Sequence, residues 1–258
     1  MDTAFVEPAP RLAVSVAGHG ELVLFLHGIR GNRRNWAGQV DFFSTHGYRA
    51  AAWDARGYGD SDDYEGALQF DHFTGDVMRL AEHFKADKLH LVGLSMGGRI
   101  ARNVALRAPE RVKSLVLVST NPGFDAMTPD HVRRFVTERR NTTPQSLRRL
   151  LGSKPNHAAY QELLDSVSRV HEASYQKTLE ASVAQDRSAP MEKISVPTLV
   201  MAGEEDTVYP PELARAMAKR IPGAELTMFE RTGHLANLEQ PERFNKAVLD
   251  FLSRHTAR

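Results

Sequence analysis

The chain of 258 residues contains no cysteine. That absence excludes disulfides, thiolate metal ligands and a cysteine nucleophile, and it fits a protein of a reducing compartment. An excess of one charge is also lacking. With 33 Lys and Arg against 32 Asp and Glu, the formal net charge is +1, so no extended basic face is expected and no nucleic-acid partner. No run approaches the roughly 18 apolar residues of a membrane-spanning helix. The opening MDTAFVEPAP has neither the basic region nor the apolar segment of a secretory leader. These absences lead us to expect a cytoplasmic protein with no membrane partner. Internal repeats and low-complexity tracts are missing too. What the chain does have is 41% hydrophobic content, enough to bury a substantial core in one large α/β domain or two small ones.

Short apolar runs alternate with helical patterns in the first half. Leu22 to Leu26, Tyr48 to Trp53, Leu89 to Val92 and Ser114 to Val118 read as strands. Asp76 to Phe84 and Arg99 to Ala108 place apolar residues at helical spacing. The alternation resumes after residue 190 with strands at Pro197 to Ala202 and Glu225 to Phe229, and helices at Glu212 to Arg220 and Pro241 to Leu252. Continuous apolar strands separated by helices imply a mostly parallel sheet covered on both faces. Residues 122–190 break the rhythm, because helical patterns follow one another without a strand. Thr128-Pro129 and Thr143-Pro144 each read as an N-cap followed by proline at the first helical position. The expected organisation is a core of residues 1–121 and 191–258 with a helical cap of residues 122–190 inserted. The pairs Arg133-Arg134, Arg139-Arg140 and Arg148-Arg149 are expected on solvated helix faces, with attraction of an anionic substrate as the alternative.

Chemistry enters at Gly93-Leu94-Ser95-Met96-Gly97-Gly98, which follows an apolar strand and precedes a helix. Strand, tight turn and helix is the setting in which G-x-S-x-G forms a nucleophile elbow, with the serine hydroxyl exposed above the carboxyl edge of the sheet. A serine hydroxyl is a weak nucleophile at neutral pH, so a general base and an orienting acid must accompany it. His234 follows the strand 225–229 and Asp206 follows the strand 197–202, so both should emerge on the edge that carries Ser95. His90 lies within a strand and reads as a packing residue, and His27 beside Gly28 reads as shaping a loop. Glu204, Glu205 and Asp125 compete with Asp206 as the acid. For the charge that develops on a carbonyl oxygen, the backbone N–H groups of Ile29 and Met96 are the expected donors, with both side chains lining the pocket.

With these residues placed, the chain resembles the α/β-hydrolase superfamily from about residue 10 to residue 254. The motifs are His27-Gly28, Asp54-Ala55-Arg56-Gly57-Tyr58-Gly59-Asp60-Ser61, the elbow around Ser95, Gly203-Glu204-Glu205-Asp206 and Gly233-His234, in that family's order. The resemblance implies an α/β-hydrolase fold with a Ser, Asp, His triad. Arg56 is read as structural. The stretch from His234 to Glu242 looks like that of the 3-oxoadipate enol-lactonases. The meta-cleavage-product C–C hydrolases share the triad and cap, but typically carry a Gly-Pro-Gly turn where this chain has Ile29-Arg30-Gly31-Asn32-Arg33-Arg34-Asn35-Trp36. An elbow aspartate, as in haloalkane dehalogenases and epoxide hydrolases, is replaced here by Ser95.

The expected protein is therefore a serine hydrolase that cleaves a carboxylic ester or lactone, enol-lactones included, through an acyl-enzyme on Ser95. It needs no metal and no cofactor, and its partner is a small-molecule substrate. Hydrolysis of a C–C or amide bond by the same triad is the alternative, and a non-catalytic small-molecule receptor is the alternative from another class. Arg30, Arg33 and Arg34 could grip a substrate carboxylate, although a solvated basic loop is the preferred reading. Trp36 could wall the acyl pocket or pack beneath the cap. Assembly into a homo-oligomer is left open.

Overall fold

The computed structural model describes residues 2–154 and 157–256. Residues 1, 155–156 and 257–258 of the expected core and cap lie outside the described residues. The eight strands are β1 (Asp2–Val6), β2 (Leu12–Ala17), β3 (Glu21–Leu26), β4 (Tyr48–Trp53), β5 (Leu89–Leu94), β6 (Val112–Val118), β7 (Thr198–Gly203) and β8 (Glu225–Phe229). They form one sheet in the order β1-β2-β4-β3-β5-β6-β7-β8. From β4 to β8 every pairing is parallel, whereas β1 with β2 and β2 with β4 are antiparallel. The continuous apolar runs of the sequence coincide with the six parallel strands. The two antiparallel strands were not expected, because β1 is largely exposed and β2 is interrupted by Ser15.

Side chains alternate between the two faces of the sheet, as the twofold period of a strand requires. In β3, Leu22, Leu24 and Leu26 pack with Phe73 and Val77 of α2 (Asp71–His83) and Ile100 and Val104 of α3 (Met96–Arg107). Val23 and Phe25 point the other way, toward Val40 and Phe43 of α1 (Ala37–Ser44). Helix α1 was not expected, since Gly38 and a weak apolar face hide it in the sequence. Its ring contacts show its role: Phe43 lies 5.6 Å from Phe25. Trp36, just before it, packs on Phe25 and Phe244 in the core rather than walling the site.

Among the described residues, four α-helices lie between β6 and β7: α4 (Pro129–Arg140), α5 (Pro144–Arg148), α6 (His157–Ser168) and α7 (Glu172–Gln185). Both N-caps expected from the sequence form. Thr128 Oγ1 accepts from the N–H of His131 at 3.2 Å, and Thr143 and Ser146 make a reciprocal capping box. The apolar faces pack inward, Leu163 of α6 against the sheet cluster and Phe135 of α4 and Leu179 of α7 against Val208 and Tyr209. A buried charge cluster ties the segment after α7 to α3: Arg99 reaches Asp186 at 3.0 Å, and Arg102 bonds the same carboxylate. The chain closes with α8 (Pro211–Arg220), α9 (Ala236–Glu239) and α10 (Pro241–Ser253), and α10 covers the α1 face of the sheet.

Candidate active site

Strand β5 is buried throughout and runs directly into the turn at Ser95, whose backbone sits at φ 55, ψ −112. A non-glycine residue in that region costs about 1–3 kcal/mol, which the surroundings must offset. Here the Ser95 N–H donates to the Val118 carbonyl at 2.9 Å, and the Ser95 carbonyl accepts from Thr120 Oγ1 at 2.7 Å. The flanking glycines are a steric requirement. A Cβ on Gly93 would overlap the Gly97 carbonyl, and one on Gly97 would overlap the Leu26 carbonyl. The hydroxyl-bearing residue is thus forced to the tip of a turn wedged between β3 and β5.

Asp206 and His234 lie beyond the carboxyl ends of β7 and β8, where open α/β sheets gather their ligands. His234 Nδ1 and Asp206 Oδ2 are 2.8 Å apart. The other Asp206 oxygen accepts the N–H groups of Val208 and Tyr209 at 2.8 and 3.0 Å, which fixes the carboxylate plane. A proton on Nδ1 facing this carboxylate leaves Nε2 free to accept one. The Tyr209 ring stands edge-on to the imidazole, 5.6 Å away. The competing acids are engaged elsewhere: Glu205 accepts from Ser153, and Asp125 pairs with Arg187.

Glu239 is a residue of the site that the sequence did not single out, although it stands in the stretch following His234. Its buried carboxylate accepts the N–H groups of Gly152, Gly233 and Leu235 at 2.7, 3.0 and 3.2 Å. Burial raises its pKa above the ordinary carboxylate value, against the pull of those donors. The His234 N–H also donates to the Leu150 carbonyl at 2.7 Å. Together these bonds pin the histidine loop to the segment after α5. A carboxylate five residues after the candidate histidine was the available signal.

His27 is fully buried and shapes the adjoining loop. Its Nδ1 lies 2.7 Å from the Gly28 carbonyl, and its Nε2 accepts the Ala55 N–H at 3.0 Å. That pattern requires the neutral ring, and burial lowers its pKa accordingly. The next residue, Ile29, is half-buried and lines the cavity that opens on Ser95 and His234. Met96 is the first residue of α3, where an N–H has no intrahelical acceptor. Its side chain does not line the cavity as expected; it packs into the core beside Leu24 and Leu26, because α3 lies flat on that face of the sheet.

The cavity is walled mainly by Leu94, Leu147, Leu150, Leu163, Leu235 and Leu238, with Arg30 and Arg139 among its polar members. The three loop arginines separate. Arg33 is buried and bonds Asp54 and Asp60, and Arg34 faces solvent, so only Arg30 reaches the cavity. The arginine pairs of α4 and α5 separate as well: Arg133, Arg134, Arg140, Arg148 and Arg149 are exposed, but Arg139 is buried. Arg56 bonds Asp76 through two nitrogens at 2.6 and 2.7 Å, a structural pair. His90 is buried against Ser114. Among the described residues no group of three His, Asp or Glu side chains is placed to hold a metal ion. No helix among them is long and apolar enough to cross a membrane.

A family model described as the alpha/beta hydrolase fold matches residues 21–241, and the chain belongs to that family. It is 32% identical over 254 residues to a 2-hydroxy-6-oxononadienedioate/2-hydroxy-6-oxononatrienedioate hydrolase of Paraburkholderia phymatum, covering 92% of this chain and 88% of the relative. This match exists although the loop after His27-Gly28 lacks a Gly-Pro-Gly turn. Among solved structures, an esterase from Exiguobacterium antarcticum superposes with a TM-score of 0.86 at 26% identity, covering 96% of this chain and 98% of the esterase. The enol-lactonase of Burkholderia xenovorans superposes with a TM-score of 0.86 at 25% identity, covering 98% of this chain and all of the lactonase.

Proposed function

We propose that this member of the alpha/beta hydrolase fold family is a serine hydrolase that cleaves a carboxylic ester or lactone of a small molecule, with Ser95 as nucleophile, His234 as base and Asp206 as its orienting acid. The reading rests on one observation above all: the strained Ser95 turn and the His234–Asp206 pair open on the same apolar cavity. Ser95 Oγ adds to the substrate carbonyl while His234 Nε2 takes the hydroxyl proton, and the new oxyanion lies toward the N–H groups of Ile29 and Met96. The intermediate collapses by breaking the C–O bond, and His234 returns the proton to the leaving oxygen. In a lactone that oxygen stays attached, so the ring opens on the enzyme. Water, deprotonated by His234, then releases the acid and restores Ser95.

In this reading residues 122–190 form a cap whose inner side chains select the substrate. A second reading is hydrolysis of a C–C bond beside a ketone. It is favoured by the relative named for 2-hydroxy-6-oxononadienedioate, a compound that contains no ester or amide bond for water to cleave. Enol-lactonase and esterase structures favour the first.

Turnover of an aryl ester, an enol-lactone and a vinylogous 1,5-diketone acid, measured side by side, separates the two readings. Serine chemistry requires that Ser95→Ala abolish turnover of whichever is cleaved and that a fluorophosphonate label Ser95 alone. Full activity in Ser95→Ala, or labelling elsewhere, overturns it.

A further inference from the structure

Arg33, Arg99, Arg102 and Arg139 are buried arginines. The first three each bond a carboxylate: Arg33 with Asp54, and Arg99 and Arg102 with Asp186. Arg139 is the exception. It is 8% exposed, and among the described residues no carboxylate lies within ion-pair distance of it. Its Nε is buried without a hydrogen-bond partner, and one terminal nitrogen has only a long 3.4 Å approach to the Phe135 carbonyl. A guanidinium removed from water without a counter-ion costs several kcal/mol unless something supplies the charge. The Phe135 ring, 3.7 Å beneath it, offsets part of that cost through a cation–π contact.

A second guanidinium stands next to it. Arg30, in a left-handed conformation at φ 64, donates to the Arg139 carbonyl and lies 4.0 Å over the Tyr175 ring. Its Nε too is buried without a partner, and it has no carboxylate partner among the described residues. Both arginines line the cavity that contains Ser95 and His234. Glu138 lines it as well, but it is bonded to Arg149 at 3.1 Å. A cavity walled mainly by leucines therefore presents two positive groups with free donor capacity.

We propose that Arg139, with Arg30 beside it, forms a carboxylate-binding subsite under the cap, so that the substrate is an acid whose cleaved carbonyl faces Ser95 while its carboxylate reaches Arg139. The assignment of the cleaved carbonyl rests on the serine-hydrolase reading; the anion site rests on the arginines alone. A planar guanidinium suits bidentate binding of a carboxylate. The same charge disfavours neutral substrates, because they leave Arg139 buried and unpaired.

Two measurements test this. The first compares kcat/KM for mono-(4-nitrophenyl) glutarate, which carries a carboxylate, with that for neutral 4-nitrophenyl butyrate. The wild-type ratio should favour the anionic ester, fall at least tenfold in Arg139→Gln and recover in part in Arg139→Lys. Should Arg139→Gln not fold, the half-buried Arg30→Gln gives the same readout, with a fall of at least threefold. The second is calorimetric binding of glutarate to Ser95→Ala, with and without Arg139→Gln, where binding should weaken at least tenfold. An unchanged ratio together with unchanged glutarate binding overturns the subsite and leaves the serine reading intact. Glutarate binding that depends on Arg139, with no Ser95-dependent hydrolysis of either ester, overturns the serine reading and keeps the anion site.

Discussion

Asp206 Oδ2 lies 2.8 Å from His234 Nδ1, and the opposite oxygen of the same carboxylate is held by two backbone N–H groups. The acid therefore has one rotamer and one side-chain partner, and with the Nδ1 proton facing it the imidazole can accept a proton at Nε2. Asp206→Asn would turn an amide N–H toward Nδ1 and favour the opposite tautomer. We expect kcat to fall about 10² to 10⁴-fold, with the melting temperature little changed. An active Asn variant would mean that another acid orients His234.

Glu239 should matter to both stability and rate. Glu239→Gln keeps the shape but replaces one acceptor oxygen by an NH₂ group that confronts N–H donors from Gly152, Gly233 or Leu235. The expected loss is about 1–3 kcal/mol, together with a lower kcat, because the His234 loop loses its anchor. Denaturant titration and steady-state kinetics read the two effects. A variant with wild-type values in both would remove Glu239 from the positioning machinery.

Two glycines make a matched comparison. Gly97→Ala places a methyl group into the Leu26 carbonyl, so the variant should be destabilised by about 2 kcal/mol or more. Gly38→Ala, in α1 with no neighbouring atom within 4 Å of the added carbon, should be neutral or raise stability by about 0.5–1 kcal/mol. Similar melting temperatures for both variants would contradict the steric account of the elbow.

Asp54 has no exposure and accepts from the Arg33 backbone N–H at 2.6 Å as well as from its guanidinium. Asp54→Ala strands the buried Arg33 charge with only Asp60 left to answer it. A loss of about 3–5 kcal/mol is expected in urea unfolding, and the loop that carries Ile29 and Arg30 should become susceptible to proteolysis. A loss below about 1 kcal/mol would show that Asp60 and solvent suffice.

Acid should destabilise the fold through His90. Burial lowers its pKa from 6.5 to about 4, so as the pH falls the unfolded chain takes up this proton first. The associated stability is fully present above pH 6.5 and is lost as the pH falls from 6.5 to about 4, a change on the order of 3 kcal/mol. His27, also lowered by burial, acts in the same direction. Urea midpoints of the wild type and His90→Gln at several pH values in this window test it: the slope should flatten in the variant, and parallel slopes would exclude His90 as the source.

Much of this molecule is legible in local sequence because its main signals are local. Parallel strands buried on both sides must be continuous runs of apolar residues, so β3 to β7 announce themselves. The Ser95 turn needs small residues at 93 and 97 for steric reasons, and those glycines are visible in the chain. Asp206 and His234 follow strands whose ends share one edge of the sheet, so topology reduces their placement to counting strands. Edge strand β1 escapes because exposure removes the apolar run, β2 escapes because Ser15 interrupts it, and α1 escapes because Gly38 and aromatic packing obscure its period.

Charge tells a different story, since an arginine's role depends on what surrounds it in space. Arg33 and Arg34 are adjacent in sequence, yet one is buried on Asp54 and the other is in solvent. Arg139 and Arg140 form an equally plain pair, yet one is buried beside the cavity and the other is exposed. The sequence by itself determined the six parallel strands and the glycine-flanked turn at Ser95, and it singled out Asp206 and His234. Only the tertiary structure decided which cations meet the cavity and which carboxylate pins the histidine loop, because burial and counter-ions are contributed by segments far away in the chain.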